Sequence, residues 1–329
     1  MCSRSLTTIC VIASCAILAE AYHQLSPTHR NQPLAAFSAD RMSRRGWIEA
    51  VSAGAVVQSL VVAPDMANAA TEPTTPSPRK SILSSGKPNG LASRLAQRDP
   101  ALLQNRLFNV PPASTVYPDF LRGDWKLQTS FNGYIFPSQT IPRDRLVKNV
   151  LVPGFQKCSI AATSDVGLDK VACKWSVNAS TGLVDVTHNW ADCIDAYLGY
   201  KAVQQVQYDP RTPNRCSIDF VDYKTINAER LELFCNARES ELVTAADAQV
   251  FVCSEFYRQV TFGTGQDVGV PRQVVTNYAH FWTYTPDLNG GITGNLLTAA
   301  YLDPQDPMFF DEPSKPVAVY SHTIKGQRV

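Results

Sequence analysis

From Asp119 onward the apolar and polar residues alternate with a period of two rather than the 3.6 of a helix. Runs rich in β-branched and aromatic residues recur: WKLQTSF, CSIAAT, VACKWSV, LVDVTHNW, VQQVQY and RCSIDFVDY. They continue with RLELFCNA, QVFVCSEFYRQVTF, QVVTNYAHFWTYT, GNLLTAAYL and PVAVYSHTIK. Each predicts a strand. Turn signals fall between them at Ser164-Asp165-Val166-Gly167, Asp209-Pro210, Pro213-Asn214 and Asn289-Gly290-Gly291, and Phe131-Asn132-Gly133-Tyr134 predicts another turn. Only CIDAYLGYKAV (193–203) interrupts the series as a helix. Upstream, LASRLAQRDPALLQNRLFN predicts one or two short helices, with Asp99 as an N-cap and Pro100 at the first helical position. The expected fold is mainly β: an antiparallel barrel over 91–329 with a short N-terminal helical segment.

The first 69 residues follow none of this and read as three successive targeting signals. Residues 1–21 carry Arg4, an apolar run and Ala19-Glu20-Ala21, the pattern of a cleavable signal peptide. Residues 22–43 hold Arg, Ser, Pro and small residues with a single acid, the composition of a plastid transit peptide. Residues 44–69 open on Arg44-Arg45, pass through a moderately apolar run and end at Ala67-Asn68-Ala69, a twin-arginine-like signal. Such an order predicts a complex plastid and, within it, the thylakoid lumen. Residues 70–90 are rich in Pro, Ser, Thr and Gly and predict a disordered linker.

Charge narrows the partners. The chain's net charge is +1, and the residues after 70 carry 25 basic and 25 acidic side chains. A balanced body without a basic run lacks the means to neutralise phosphates, so no nucleic-acid partner is expected. After residue 70 no apolar stretch reaches the roughly twenty residues of a bilayer span, so the mature chain is expected to have none.

Two resemblances add to this. Gly123-Asp124-Trp125 on the first strand resembles the G-x-W of the lipocalin-like superfamily, which implies an up-and-down barrel with the tryptophan plugging one end. The segments VYPDFLRGDW, PGFQKCSIAA, DAYLGYKAV, SEFYRQVTFG, NYAHFW and GNLLTAAYLDPQD are similar in order to an uncharacterised family of chloroplasts and cyanobacteria, a domain of unknown function. That likeness runs from about Leu91 to Thr323 and implies a photosynthetic setting without an established active site.

Alternation places Tyr278, His280, Trp282 and Tyr284 on one strand face, where they are candidate ligand-binding residues together with Arg258. An inward face would offer a flat hydrophobic ligand large rings and one polar contact, His280; a packed aromatic core is the other reading. Arg230, Arg238, Glu239 and Glu241 predict a charged outer ladder. Asp303, Asp306, Asp311 and Glu312 lack the register of a calcium loop, so a proline-rich lid with solvated acids is expected and no metal site. No catalytic motif is present, and no cofactor is indicated. Nine cysteines occur, none in C-x-x-C. Cys158 with Cys173, and Cys235 with Cys253, sit symmetrically about turns and would face each other across hairpins, as disulfides or as buried apolar residues.

Three functions are compatible with these features. One is a lipocalin-like protein binding a pigment, tetrapyrrole or lipid for photosynthetic complexes. Another is a photosystem assembly or structural partner with a filled interior. The third is a lumenal enzyme on such a ligand, switched by acid through His188, His280 or His322.

Overall fold

The computed structural model describes residues 82–106, 112–149, 152, 170–222, 224–225, 228–245, 248–263 and 273–329. The segments expected to be targeting signals, the CSIAAT run, the 164–167 turn and Cys158 lie outside the described residues. Nine strands form one antiparallel sheet: β1 (Gly123–Ile135), β2 (Lys170–Val177), β3 (Val203–Tyr208), β4 (Arg215–Phe220), β5 (Arg230–Ala245), β6 (Ala248–Phe262), β7 (Gln273–Pro286), β8 (Ile292–Tyr301) and β9 (Ala318–Arg328). Among the described residues three α-helices accompany it: α1 (Leu91–Gln97), α2 (Arg143–Lys148) and α3 (Val186–Leu198).

The strand order is β2-β1-β9-β8-β7-β6-β5-β4-β3. It is a meander whose last strand returns to pair with the first, from Trp125↔Arg328 to Ile135↔Val319. Trp125 lies buried at this seam, its indole N–H donating to Leu121 O at 2.9 Å and the Arg328 guanidinium 4.7 Å above its ring. The ladder stops at β2 and β3, which do not pair. The sheet is therefore not a hydrogen-bonded barrel, and α3 stands at the remaining gap.

The edges explain how. Lys174 and Ser176 of β2 direct their N–H groups away from β1, where no strand receives them. The side chains of Asp192 and Asn189 on α3 accept these N–H groups, and the Asn189 amide donates back to Ser176 O at 3.0 Å. At the other edge Asp195 accepts the N–H groups of Ala202 and Val203 at 2.8 and 2.9 Å. A buried donor left unpaired costs about 1–3 kcal/mol, so these two acids and one amide supply part of the pairing that a tenth strand would have given.

Helix α3 starts earlier than its sequence pattern suggests, taking most of the expected strand LVDVTHNW. Asp185 caps it, accepting the His188 N–H at 2.9 Å. Val186, Trp190, Ile194 and Leu198 fall at i, i+4, i+8 and i+12, one apolar stripe packed on the sheet. Gly199 ends it at φ 78°.

Other expectations also shift. The turn at 131–134 is a bulge inside β1, with Asn132 the extra residue and Gly133 beside it at φ 126°. Residues 82–90, expected in the linker, are folded: Leu83 is buried on the outer face of the sheet with Leu91, Ala92 and Leu95. The outer ladder holds this segment instead of standing free. Glu241 accepts the N–H groups of Lys87 and Ala92, capping a helix that has no side-chain cap of its own, and Glu239 pairs with Arg94.

Candidate ligand cavity

A cavity of about 510 Å³ lies on the inner face of the sheet, within the range of small-molecule sites. Every strand of the nine contributes to its lining, from Leu127 on β1 to Ile324 on β9, and α3 adds Val186, Asn189, Trp190 and Cys193. Its walls are aromatic. Trp175 and Tyr284 stack at 6.0 Å with 20° between planes, Tyr117 meets Trp175 edge-on at 5.5 Å, and Trp190 meets Tyr257 edge-on at 6.0 Å. His280 lies 5.1 Å from Trp282.

Of the residues singled out from sequence, His280, Trp282 and Tyr284 line this cavity together. Tyr278 shares their face but is fully buried in the adjoining core, its hydroxyl donating to Gln259 at 3.2 Å. Arg258 is not with them: it is exposed, and its neighbours on the strand, Tyr257 and Gln259, are the ones that turn inward. One residue of register separates a lining position from the outer surface.

Sequence reasoning missed one charged residue of the cavity wall, Arg238. Cys235 stands opposite Tyr257, but Ala237 stands opposite Phe256, so Asn236 is an extra residue and β5 changes face there. Arg230 and Glu232 stay outside in an ion-pair ladder with Asp219 and Arg215, as the alternation predicts. Arg238, two residues past the bulge, turns in. Its Nε donates to Glu255 at 2.7 Å and its Nη2 to Pro213 O at 2.8 Å. The Tyr257 hydroxyl donates to the second Glu255 oxygen. Burial alone would lower the Arg238 pKa, but the Glu255 carboxylate outweighs it and holds the guanidinium charged. Burial and then the Glu255 charge push the Tyr257 phenol well above its usual range. The only advance signal was the lone acid Glu255 on a strand face otherwise apolar or neutral.

His280 and His322 are held neutral by burial. Burial pushes His280 down to about 3, with His322 adding to the effect, and burial pushes His322 down to about 4. His280 Nδ1 is 2.8 Å from Thr298 Oγ1.

Cys235 and Cys253 do not form the hairpin pair that their spacing suggests, and the pair of Cys158 with Cys173 falls outside the described residues. Cys235 stands opposite Tyr257 and Cys253 opposite Ser240, four residues apart along β6, too far for a bond. Burial pushes both thiols up, Cys235 to about 12. In the acidic loop after β8 only Asp311 is exposed as expected; the other three acids are buried. Asp303 accepts from Asn277 at 2.8 Å, Asp306 from the Met308 N–H at 2.8 Å, and Glu312 from Thr140 at 2.9 Å. These carboxylates hold a buried turn. Among the described residues no group of three or more His, Cys, Asp or Glu could hold a metal ion, and no helix is long and apolar enough to cross a membrane.

Residues 174–329 match the family model of a domain of unknown function, DUF6816. The match begins inside β2 and covers α3 and β3–β9, leaving out β1 and the N-terminal segment. No curated protein and no solved structure matches.

Proposed function

We propose that the chain is a lipocalin-like binding protein of a complex plastid, housed in the thylakoid lumen. There it holds a pigment, tetrapyrrole or lipid in support of photosynthetic complexes. The observation that carries the ligand reading is the aromatic cavity walled by all nine strands. Rings set edge-on and stacked around about 510 Å³ suit a flat apolar molecule, and the satisfied Arg238–Glu255 pair marks one polar wall. The strand order of a returning meander, with Trp125 and Arg328 at its seam, supports the lipocalin-like comparison. The order of signals in residues 1–69 supports the address.

A structural partner with an interior filled by its own side chains is less well supported, because a cavity is present. An acid-switched enzyme acting through His280 or His322 would need those rings to take a proton in mild acid, and their pKa values of about 3 and 4 oppose that.

Three of the five tryptophans, Trp175, Trp190 and Trp282, line the cavity. Their fluorescence is therefore the assay. Titration with a carotenoid, a porphyrin and a fatty acid should quench it saturably for one class, and native mass spectrometry should find that molecule bound one to one. If none of the three quenches or co-purifies, the ligand reading fails. A fluorescent fusion of the full chain that stays outside the plastid would sink the address.

A further inference from the structure

The gap between β2 and β3 holds a second chemical feature that the cavity's binding role does not use. Cys173 on β2 and Cys193 on α3 pack in one apolar cluster where the helix meets the strand. Both line the cavity, so a small reagent reaches them from there. Their neighbours are already fixed to each other: Asp192, next to Cys193, accepts the N–H of Lys174, next to Cys173. Asn189 bonds Ser176 in both directions one turn away. The two sulfurs therefore come from different elements, and the backbone around them is pinned in place. The other three described cysteines lack such a partner thiol; Cys253, for example, contacts the Tyr117 hydroxyl at 3.8 Å.

We infer that Cys173 and Cys193 are a reversible dithiol–disulfide site that ties α3 to the edge of β2. The neighbouring Cys193 thiol holds Cys173 below its usual range, and Cys173 together with burial raises Cys193. Cys173 is thus the attacking thiolate. The oxidant is a small-molecule disulfide. The Cys173 thiolate attacks one of its sulfurs, that S–S bond breaks, and the released thiolate takes up the proton that Cys173 gave up. Cys193 then loses its proton and attacks the Cys173 sulfur, and the second half of the reagent leaves as a thiol. Two protein thiols are oxidised and one disulfide is reduced to two thiols, with two electrons and two protons transferred. The bond closes a loop of about twenty residues, across the one place where the sheet has no ladder.

The test uses the full chain with Cys2, Cys10, Cys15 and Cys158 changed to Ser, leaving the five described cysteines. It is equilibrated with oxidised glutathione, quenched by alkylation in denaturant and mapped by mass spectrometry. The expected result is two thiols lost, peptides joined through Cys173 and Cys193, and a Tm raised by roughly 5–10 °C over the dithiothreitol-reduced sample. Cys173→Ser and Cys193→Ser should each abolish both the joined peptides and the shift, while Cys216→Ser should keep them. Five freely alkylated thiols, a glutathione adduct stalled on one cysteine, or a bridge from either residue to a different cysteine would each overturn the inference.

Discussion

The sheet has two seams, and they are built differently. Where β1 meets β9, the backbones themselves form a ladder from Trp125↔Arg328 to Ile135↔Val319, backed by the buried Trp125 ring. Where β2 would meet β3, three side chains on α3, Asn189, Asp192 and Asp195, accept two N–H groups from each free edge. A ladder is cooperative and indifferent to most side-chain changes. A helix stitched on by acids and an amide fails one residue at a time, and it lies against the cavity, where movement would matter to a ligand. The two seams teach that this sheet is permanently shut on one side and only latched on the other.

Trp125→Ala strikes the ladder seam and should be the most damaging change, costing about 3–5 kcal/mol through the cavity left behind and the lost indole hydrogen bond. Urea unfolding should show this as an earlier midpoint at unchanged slope. A loss below about 1 kcal/mol would mean the seam does not depend on that ring.

Acid acts away from the latched seam, since His280 lies on β7 in the middle of the sheet and His322 stands opposite Phe131 at the β1–β9 seam. In the unfolded chain a histidine binds its proton near pH 6.5, but in the fold His280 and His322 wait until about 3 and 4. Their contribution is whole above pH 6.5 and drains as the pH falls toward the folded values. Between pH 7 and pH 5 each should lose about 2 kcal/mol. Stability measured across that range in His280→Gln should show a shallower slope than in the parent; an unchanged slope would contradict the buried, neutral assignment.

Asp195→Ala tests the latched seam. It leaves the N–H groups of the buried Ala202 and Val203 without their acceptor, a cost of about 1–3 kcal/mol. Hydrogen exchange should rise at the start of β3 well before it rises in β9. Equal increases in both would show that the two seams open together. Arg258→Ala, on the exposed face of β6, should stay within about 0.5 kcal/mol and leave cavity fluorescence unchanged.

Much of the wall was legible in the sequence. Each of β3 to β9 sits on a run that alternation predicts, and the inward set His280, Trp282 and Tyr284 follows from counting by twos along β7. Counting fails where the backbone inserts a residue. Asn236 is one such insertion, and it carries Arg238 from the outer ladder to the cavity; Asn132-Gly133 is another, taken for a turn because the same dipeptide serves both. Helix α3 was half legible. Its first turn carries Val and Thr, which favour strands, and only the Asp185 cap and the i, i+4 stripe reveal the helix.

The sequence by itself determined the β character, the order of the strands along the chain and the alternation that gives the sheet two faces. Those are local properties, written in the period of apolar residues and the chemistry of turns. Tertiary structure decided which strands are neighbours, where a bulge reverses the face, and that a helix rather than a strand meets the free edges of β2 and β3. It also brought Cys173 to Cys193 and Arg238 to Glu255. Each of these depends on hydrogen-bond partners distant in sequence, whose pairing energy exists only once the sheet has curled far enough to bring them together.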